Sequence, residues 1–327
     1  MSVKDAVLKA LEEARGEQIS GAALARTLGV SRAAVWKAVG TLREAGVAID
    51  AAPGGGYLLR TEDDSLTAAG VGALLETEAF GRELLVMPSL TSTNTVLKQE
   101  YTAKPHGFTL IALEQSGGRG RLGRSFASPP GSGLYISVLM HPRFPLDKLH
   151  FVTVAAAVAV CEAIEQTAGF TPGIKWVNDV LMEGKKLCGI LTEAVIEGET
   201  GAVDAVVTGF GINLFPSPAW PEEVRAVAGA LSEFSTAPRR AALAAALLGA
   251  FERGIRLLSE GGTAALIAAY RSRLCCLGKP VTVHGPATQY HAVCVGLTEE
   301  GHLLVRDDAG QTHTLSTGEI SIRLSPS

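Results

Sequence analysis

The sequence predicts an α+β protein in three parts: a small helical unit closed by a β-hairpin, a central mixed sheet with helices, and a small C-terminal β-barrel. Three patterns support this. Apolar residues recur at helical spacing through roughly the first fifty residues. Strand-like apolar runs then mix with long alanine-rich helices, without the regular alternation of a doubly wound sheet. Roughly the last fifty residues are short alternating strands separated by Gly, Asp and Glu turns.

The chain has 327 residues, 47% of them hydrophobic and 19% charged, enough for two or three domains with at least one sizeable core. A net charge of −4 argues against coating nucleic acid through overall charge, so any DNA contact has to come from a local patch. No run of about 18 apolar residues occurs, so no membrane span is expected. The opening "MSVKDAVLKALEEARG" carries acids where a signal peptide has its apolar core. Cys161, Cys188, Cys275, Cys276 and Cys294 are scattered without CxxC spacing, which predicts idle thiols in a cytoplasmic protein and no zinc site.

In "VKDAVLKALEEA" the positions Val3, Val7, Leu8 and Leu11 share one helix face. "SGAALARTLG" is a second short helix, with Ser20 as N-cap and Gly29 as stop. "VSRAAVWKAVGTLREAG" starts on Ser31 and aligns Val35, Val39 and Leu42. Two short helices joined by a tight turn with glycine make a helix-turn-helix, and "VAIDAAPGGGYLLR" reads as a hairpin wing. "TEDDSLTAAG" is an acidic linker ending in a helix start. Beyond it the expected strands are "ELLVMPSL", "FTLIALEQ", "GLYISVLM", "GIKWVNDVLM", "KLCGILTEAVI" and "AVDAVVTGFGINL", with a hairpin at "MEGKKL". Helices over about 146–168, 239–259 and 263–274 are expected on one side of that sheet. The expected boundaries are 1–64, 65–276 and 277–327.

Five stretches could carry chemistry. "EQSGGRGRLGRSF" puts four glycines and three arginines into residues 114–126. Arginine forks suit carboxylate or phosphate, and glycines let backbone N–H groups approach an anion. The stretch is therefore either an anion cradle or a solvated loop, and it fits neither the Walker nor the dinucleotide pattern. Ser92, Thr93 and Asn94 lie at a strand-to-helix junction, where they either cap the helix or face a small ligand. "KWVND", Lys175 to Asp179, ends a strand with a cation, an aromatic, an amide and a carboxylate, or is ordinary turn chemistry. In "GKKLCGIL", Lys186 borders an apolar strand and either snorkels to solvent or meets an anion. In "GFGINL", Gly209 and Gly211 allow close backbone packing.

Taken in order, "TSTN", "EQSGGRGRLGR", "KWVND", "GKKLCGIL" and "GFGINL" resemble the motifs of the bifunctional biotin–protein ligase/biotin repressor family. "TLGVSRAAVWKAVGTLREAGV" with "PGGGYLL" is similar to its winged helix, and "GKPV" with "TGEIS" to its terminal SH3-like barrel. The resemblance covers essentially the whole chain. Two positions depart from it: Val177 stands where the family has proline, and Phe126 where it often has tryptophan.

The resemblance implies an enzyme that activates biotin with ATP to biotinyl-5′-AMP and passes biotin to a lysine of a biotin carboxyl carrier protein of acetyl-CoA carboxylase or a related carboxylase. It places biotin against Ser92, Thr93, Asn94, Gln115, Arg119, Gly120, Arg121 and Lys186. It places the nucleotide near Arg124, Phe126, Lys175, Asn178 and Asn213, and it makes Lys186, Arg121, Arg119 and Asp179 catalytic. Mg²⁺ would arrive on the ATP phosphates, with no metal ligands on the protein. Because an acyl-adenylate is a reactive anhydride, the arginine loop should close over it and exclude water. The winged helix implies operator DNA of biotin genes as a second partner, met through Ser31, Arg32, Ala33 and Lys37, with a homodimer forming on the adenylate. Residues 1–60 carry eight basic and six acidic residues, which predicts weak nonspecific binding and reliance on the dimer. The rivals are a ligase whose winged helix is not regulatory, a lipoate or octanoate transferase, which shares the catalytic fold, and a purely ligand-sensing repressor, against which Lys186 and the arginine loop argue.

Overall fold

A computed structural model describes residues 2–52, 55–142, 148–196, 198, 202–285, 289–316 and 321–324. The chain opens with α1 (Val3–Glu13), β1 (Gln18–Ile19), α2 (Gly21–Leu28), α3 (Arg32–Glu44) and the hairpin β2 (Ile49–Ala52) and β3 (Gly56–Leu59). Ser20 and Ser31 cap α2 and α3 through their hydroxyls, and Gly29 ends α2 in the left-handed region at φ 65°. The two-residue strand β1 pairs with β3 and makes the wing three-stranded. Val7, Leu8, Leu11, Val35, Val39, Leu42 and Leu59 close a core separate from the rest of the molecule.

The central part runs α4 (Ala68–Leu74), β4 (Leu84–Met87), α5 (Thr93–Glu100), β5 (Thr109–Ala112), β6 (Gly133–Met140), α6 (Leu149–Ala168), β7 (Gly173–Lys175), β8 (Asp179–Met182), β9 (Lys185–Ile196), β10 (Val203–Asn213), α7 (Glu222–Arg225), α8 (Arg240–Ser259) and α9 (Thr263–Ser272). Among the described residues its strands form one seven-stranded mixed sheet in the order β4-β5-β6-β10-β9-β8-β7. Only β4 and β5 pair in parallel within it. α6 is long and apolar enough to cross a membrane, yet 72% of its apolar window is buried inside the fold. Val152, Ala156, Val160 and Ile164 of α6 pack with Leu247 and Phe251 of α8.

Two expectations change here. The single strand expected in "GIKWVNDVLM" is two antiparallel strands, so Asp179 begins β8 instead of ending β7. The Trp176–Val177 peptide is cis. The turn is held from outside: Tyr270 donates to Val177 O at 3.1 Å and Trp176 Nε1 to Gly301 O at 3.2 Å. The helices are also not all on one side, because α5 covers the opposite face of the sheet, its Leu97 packing on Leu110, Leu139 and Val207.

The C-terminal part is β11 (Pro280–His284), β12 (Gln289–Leu297), β13 (Leu303–Asp307), β14 (Thr312–Leu315) and β15 (Ser321–Leu324). It is the antiparallel all-β unit expected, in the order β14-β13-β12-β11-β15. Val281, Cys294, Leu303 and Val305 belong to the same buried cluster as α6 and α9, so its core continues that of the central part. The "TGEI" of the expected "TGEIS", the Pro-Gly of the wing turn and the first residues of the expected 146–168 helix lie outside the described residues.

Candidate active site

A cleft of about 920 Å³, including its open mouth, lies where β9 and β10 meet α5, the 114–128 loop and the β7–β8 turn. The ends of the sheet place it. β5 is buried throughout and delivers Gln115 to the α5 N-terminus. There Gln115 Oε1 accepts from Thr93 N at 2.9 Å, while Nε2 donates to Ser128 Oγ at 2.9 Å.

The α5 N-terminus forms a polar corner. Ser92, Thr93 and Asn94 are each at most 4% exposed. Ser92 occupies the N-cap position, yet its side chain makes no capping hydrogen bond, so capping does not account for that hydroxyl. Asn94 Nδ2 donates to Leu191 O at 3.1 Å and to Glu193 Oε2 at 3.0 Å. Ser137 Oγ lies 2.6 Å from Thr93 Oγ1 and 2.7 Å from Asn94 Oδ1.

The glycine–arginine stretch folds as a hairpin over this corner. Phe126 N donates to Gly118 O at 2.8 Å, Gly120 N to Arg124 O at 2.7 Å, and Gln115 N to Ser128 O at 3.1 Å. Leu122 and Gly123 turn the tip through the left-handed region, at φ 56° and 72°. Of the loop's glycines, Gly120 thus spends its N–H within the loop, and Gly117 spends its own on Thr91 O at 2.9 Å. What the loop offers the cleft is its side chains: Arg119, Arg121, Arg124 and Phe126.

The floor is bare backbone. A Cβ at Gly189 would come within 3.0 Å of Lys186 Nζ and 3.1 Å of the Phe126 ring, and one at Gly211 would overlap that ring. A Cβ at Gly209 would overlap Asn94 Oδ1. Gly189 and Gly211 face each other across β9 and β10, so the glycines of the two motifs make one seat for Phe126.

Charge concentrates at the far end. Lys186 Nζ lies 2.7 Å from Asp179 Oδ1, which replaces the snorkelling alternative with an ion pair. Lys186 Nζ is also 5.9 Å from the Phe126 ring centre. Asn178 holds β9 through Nδ2 to Ile190 O at 2.8 Å and accepts from Arg121 Nη1 at 3.3 Å. Burial pulls the Arg121 and Lys175 cations below their ordinary pKa values; Asp179 opposes the shift in both. Arg119, Arg121, Arg124, Lys175 and Lys186 thus line the cleft with Asp179, an excess of cations suited to an anionic ligand.

Of the expected ligand residues, the structure brings Ser92, Thr93, Asn94, Gln115, Arg119, Gly120, Arg121, Arg124, Phe126, Lys175, Asn178, Asp179 and Lys186 together on this cleft. Asn213 stands apart: it is buried, and its Nδ2 donates to Lys186 O at 3.2 Å and Gly229 O at 3.0 Å, so it supports the backbone of β9 from behind. Trp176, the aromatic of "KWVND", also lines the cleft. Sequence reasoning missed Glu193, which owes its place to contacts made across the sheet and not to a motif. On the winged helix, Arg32, Ala33 and Lys37 are exposed, and Ser31 caps α3 through its hydroxyl. Trp36, which the motif reading passed over, lies beside them at 73% exposure.

Residues 86–213 match the Biotin/lipoate A/B protein ligase family, residues 4–58 an HTH domain, and residues 276–323 the Biotin protein ligase C terminal domain. The chain is 32% identical to the bifunctional ligase/repressor BirA of Bacillus subtilis, covering 93% of this chain and 94% of that one. It is 30% identical to that of Escherichia coli, covering 95% and 94%. A Biotin--[acetyl-CoA-carboxylase] ligase of Mycobacterium tuberculosis is 32% identical over 80% of this chain and 94% of its own. The solved structure of the biotin protein ligase from Aquifex aeolicus in complex with biotin and ATP is similar at a TM-score of 0.66 and 29% identity, covering 75% of this chain and 100% of that one.

Proposed function

The chain belongs to the bifunctional ligase/repressor BirA family and is a biotin–[acetyl-CoA-carboxylase] ligase, and we propose that its cleft forms biotinyl-5′-AMP between the Ser92–Asn94 corner and the arginine loop. The observation that carries this reading is the Lys186–Asp179 pair at 2.7 Å, in a cleft that Arg121, Arg124 and Lys175 also line.

Biotin's ureido group is small and polar, its rings are apolar and its chain ends in a carboxylate. Ser92, Thr93, Asn94 and Gln115 supply hydroxyls and amides for the ureido end. Asn94 has committed both Nδ2 hydrogens to Leu191 and Glu193, so what it offers is its Oδ1, an acceptor for a ureido N–H. Lys186 then meets the carboxylate, and Arg121 and Arg124 meet the phosphates. In the first step a carboxylate oxygen attacks the α-phosphorus of ATP and the bond to pyrophosphate breaks. The protein's work is to hold two anions together against their repulsion, which fixed cations do best in a partly dry site. In the second step the amine of a carrier lysine attacks the acyl carbon, the bond to AMP breaks, and Asp179 orients the amine or takes its proton.

Among the described residues no cluster of three or more His, Cys, Asp or Glu could hold a metal ion. By the family resemblance, Mg²⁺ would travel on the ATP phosphates, where it would supply charge neutralisation. The carrier domain and operator DNA are the macromolecular partners, which places the protein in the cytoplasm, and the adenylate is the corepressor that pairs two chains on DNA. Biotin-dependent exchange of pyrophosphate into ATP tests the ligase reading directly. Exchange is expected with biotin and not with lipoate; exchange with lipoate alone, or none, overturns it.

A further inference from the structure

Glu193 sits on β9, two residues past the lysine motif, and its side chain is 15% exposed. Three donors converge on it. Lys98 Nζ lies 2.8 Å and Arg119 Nη1 3.1 Å from Oε1, and Asn94 Nδ2 donates to Oε2 at 3.0 Å. Asn94 and Lys98 are one turn apart on α5, so that helix presents both to the same carboxylate. Burial alone would raise the Glu193 carboxyl, but the bonds from Lys98 and Asn94, with the charge of Arg119, outweigh it and hold it below the ordinary glutamate value.

The two sides of this junction have different standing. Asn94 and Lys98 belong to a helix packed on the sheet, so they fix Glu193 whether or not the loop is present. Arg119 belongs to the loop and is 46% exposed. An isolated surface pair of that kind is weak, because two side chains must be ordered to form it. Here one partner is already ordered by Asn94 and Lys98, so forming this pair costs only the side-chain freedom of Arg119. The same carboxylate also sets the amide orientation in which Asn94 offers its Oδ1 to the cleft.

We propose that Glu193 is a positioning residue that ties the arginine loop to the head-group corner, so that loop closure and correct seating of biotin share one carboxylate. This rests on the reading of the cleft as an adenylate-forming site. Loss of the Glu193 charge should leave chemistry in place and let the loop open too often, so that the adenylate escapes.

The test uses full-length wild type, E193Q, R119Q and the double variant. Each is loaded with labelled biotin and ATP, freed of excess ligand, and followed for loss of bound adenylate and for label on a bystander protein. E193Q keeps an acceptor for Asn94 but no charge; it is expected to release the adenylate up to about fivefold faster and to label bystander lysines in proportion. The double variant should release no faster than R119Q, and the KM for biotin should rise less than the release rate. K98Q, which leaves Glu193 charged but loosens it, gives a second reading should E193Q fail to fold, with a smaller rise in release expected. Wild-type retention in E193Q, or in K98Q where E193Q does not fold, overturns the proposal, as does a double variant in which the two effects multiply. A wild-type protein that forms no adenylate overturns the cleft reading instead.

Discussion

Arg121 shows how a single side chain is matched to the anion it awaits. It is half-buried, held below its ordinary pKa by burial, and bonded to Asn178 Oδ1 at 3.3 Å. A desolvated guanidinium gains more from a phosphate than an exposed one does. Charge-assisted hydrogen bonds of this kind contribute about 1.5–3 kcal/mol. Arg121→Gly is therefore expected to release the adenylate roughly ten- to a hundredfold faster and to label lysines on bulk protein indiscriminately. Incubation with biotin, ATP and bulk protein measures it, and selectivity equal to wild type counts against the role. At this scale the sequence was informative where a motif surrounds the residue. Lys186 and Asp179 are seven positions apart and meet across one hairpin. Glu193 was illegible because its partners lie 74, 95 and 99 residues away. The backing position of Asn213 was illegible for a related reason: its place in a motif says nothing about which side of β9 its amide serves.

The arginine loop works as an element because two other elements leave room for it. Phe126 rests on Gly189 of β9 and Gly211 of β10, where any Cβ would meet the ring. Gly211→Val should push Phe126 off its seat and carry the loop with it. Overpacking of this sort costs about 1–3 kcal/mol, which a fold of this size survives. The expected outcome is a folded protein, with a modestly lowered Tm, whose pyrophosphate exchange has fallen steeply; exchange at the wild-type level would mean that the glycine floor is not what positions the loop. Local signals made several elements readable in advance. Ser20, Ser31 and Gly29 bound their helices as read, and the "MEGKKL" hairpin forms with Glu183 and Gly184 at its turn, both at positive φ. At "KWVND" turn chemistry was legible, but the return of the chain into a paired β8 was not, because Val177 continues an apolar strand pattern and the turn depends on Tyr270 and Gly301. The hairpin form of the loop was missed too, since glycine content permits such a path without specifying it.

Across the whole molecule, the ligase and the winged helix are joined firmly but keep separate cores. Glu12 of α1 takes Arg15 at 2.6 Å and Arg239, next to α8, at 3.0 Å. Asp64 takes Arg240 at 2.8 Å, so the segment between the two units is pinned to the start of α8. The orientation of α3 is thus set by the body that binds the adenylate. α3 exposes Arg32, Ala33, Lys37 and Trp36, few groups with which to hold DNA alone. Each phosphate contact adds a modest, salt-sensitive increment, so one winged helix binds weakly and two fixed to each other bind far better, the second site engaging at high effective concentration. If the adenylate is what pairs two chains, affinity for the protein's own upstream DNA should rise when biotin and ATP are both present and fall back when either is withheld. A gel-shift titration, run beside sedimentation of the free protein under the same conditions, reads both quantities. Binding that ignores the ligands would remove the corepressor role and leave the ligase untouched. Binding that rises without a change in oligomeric state would move the control from pairing to the orientation of α3.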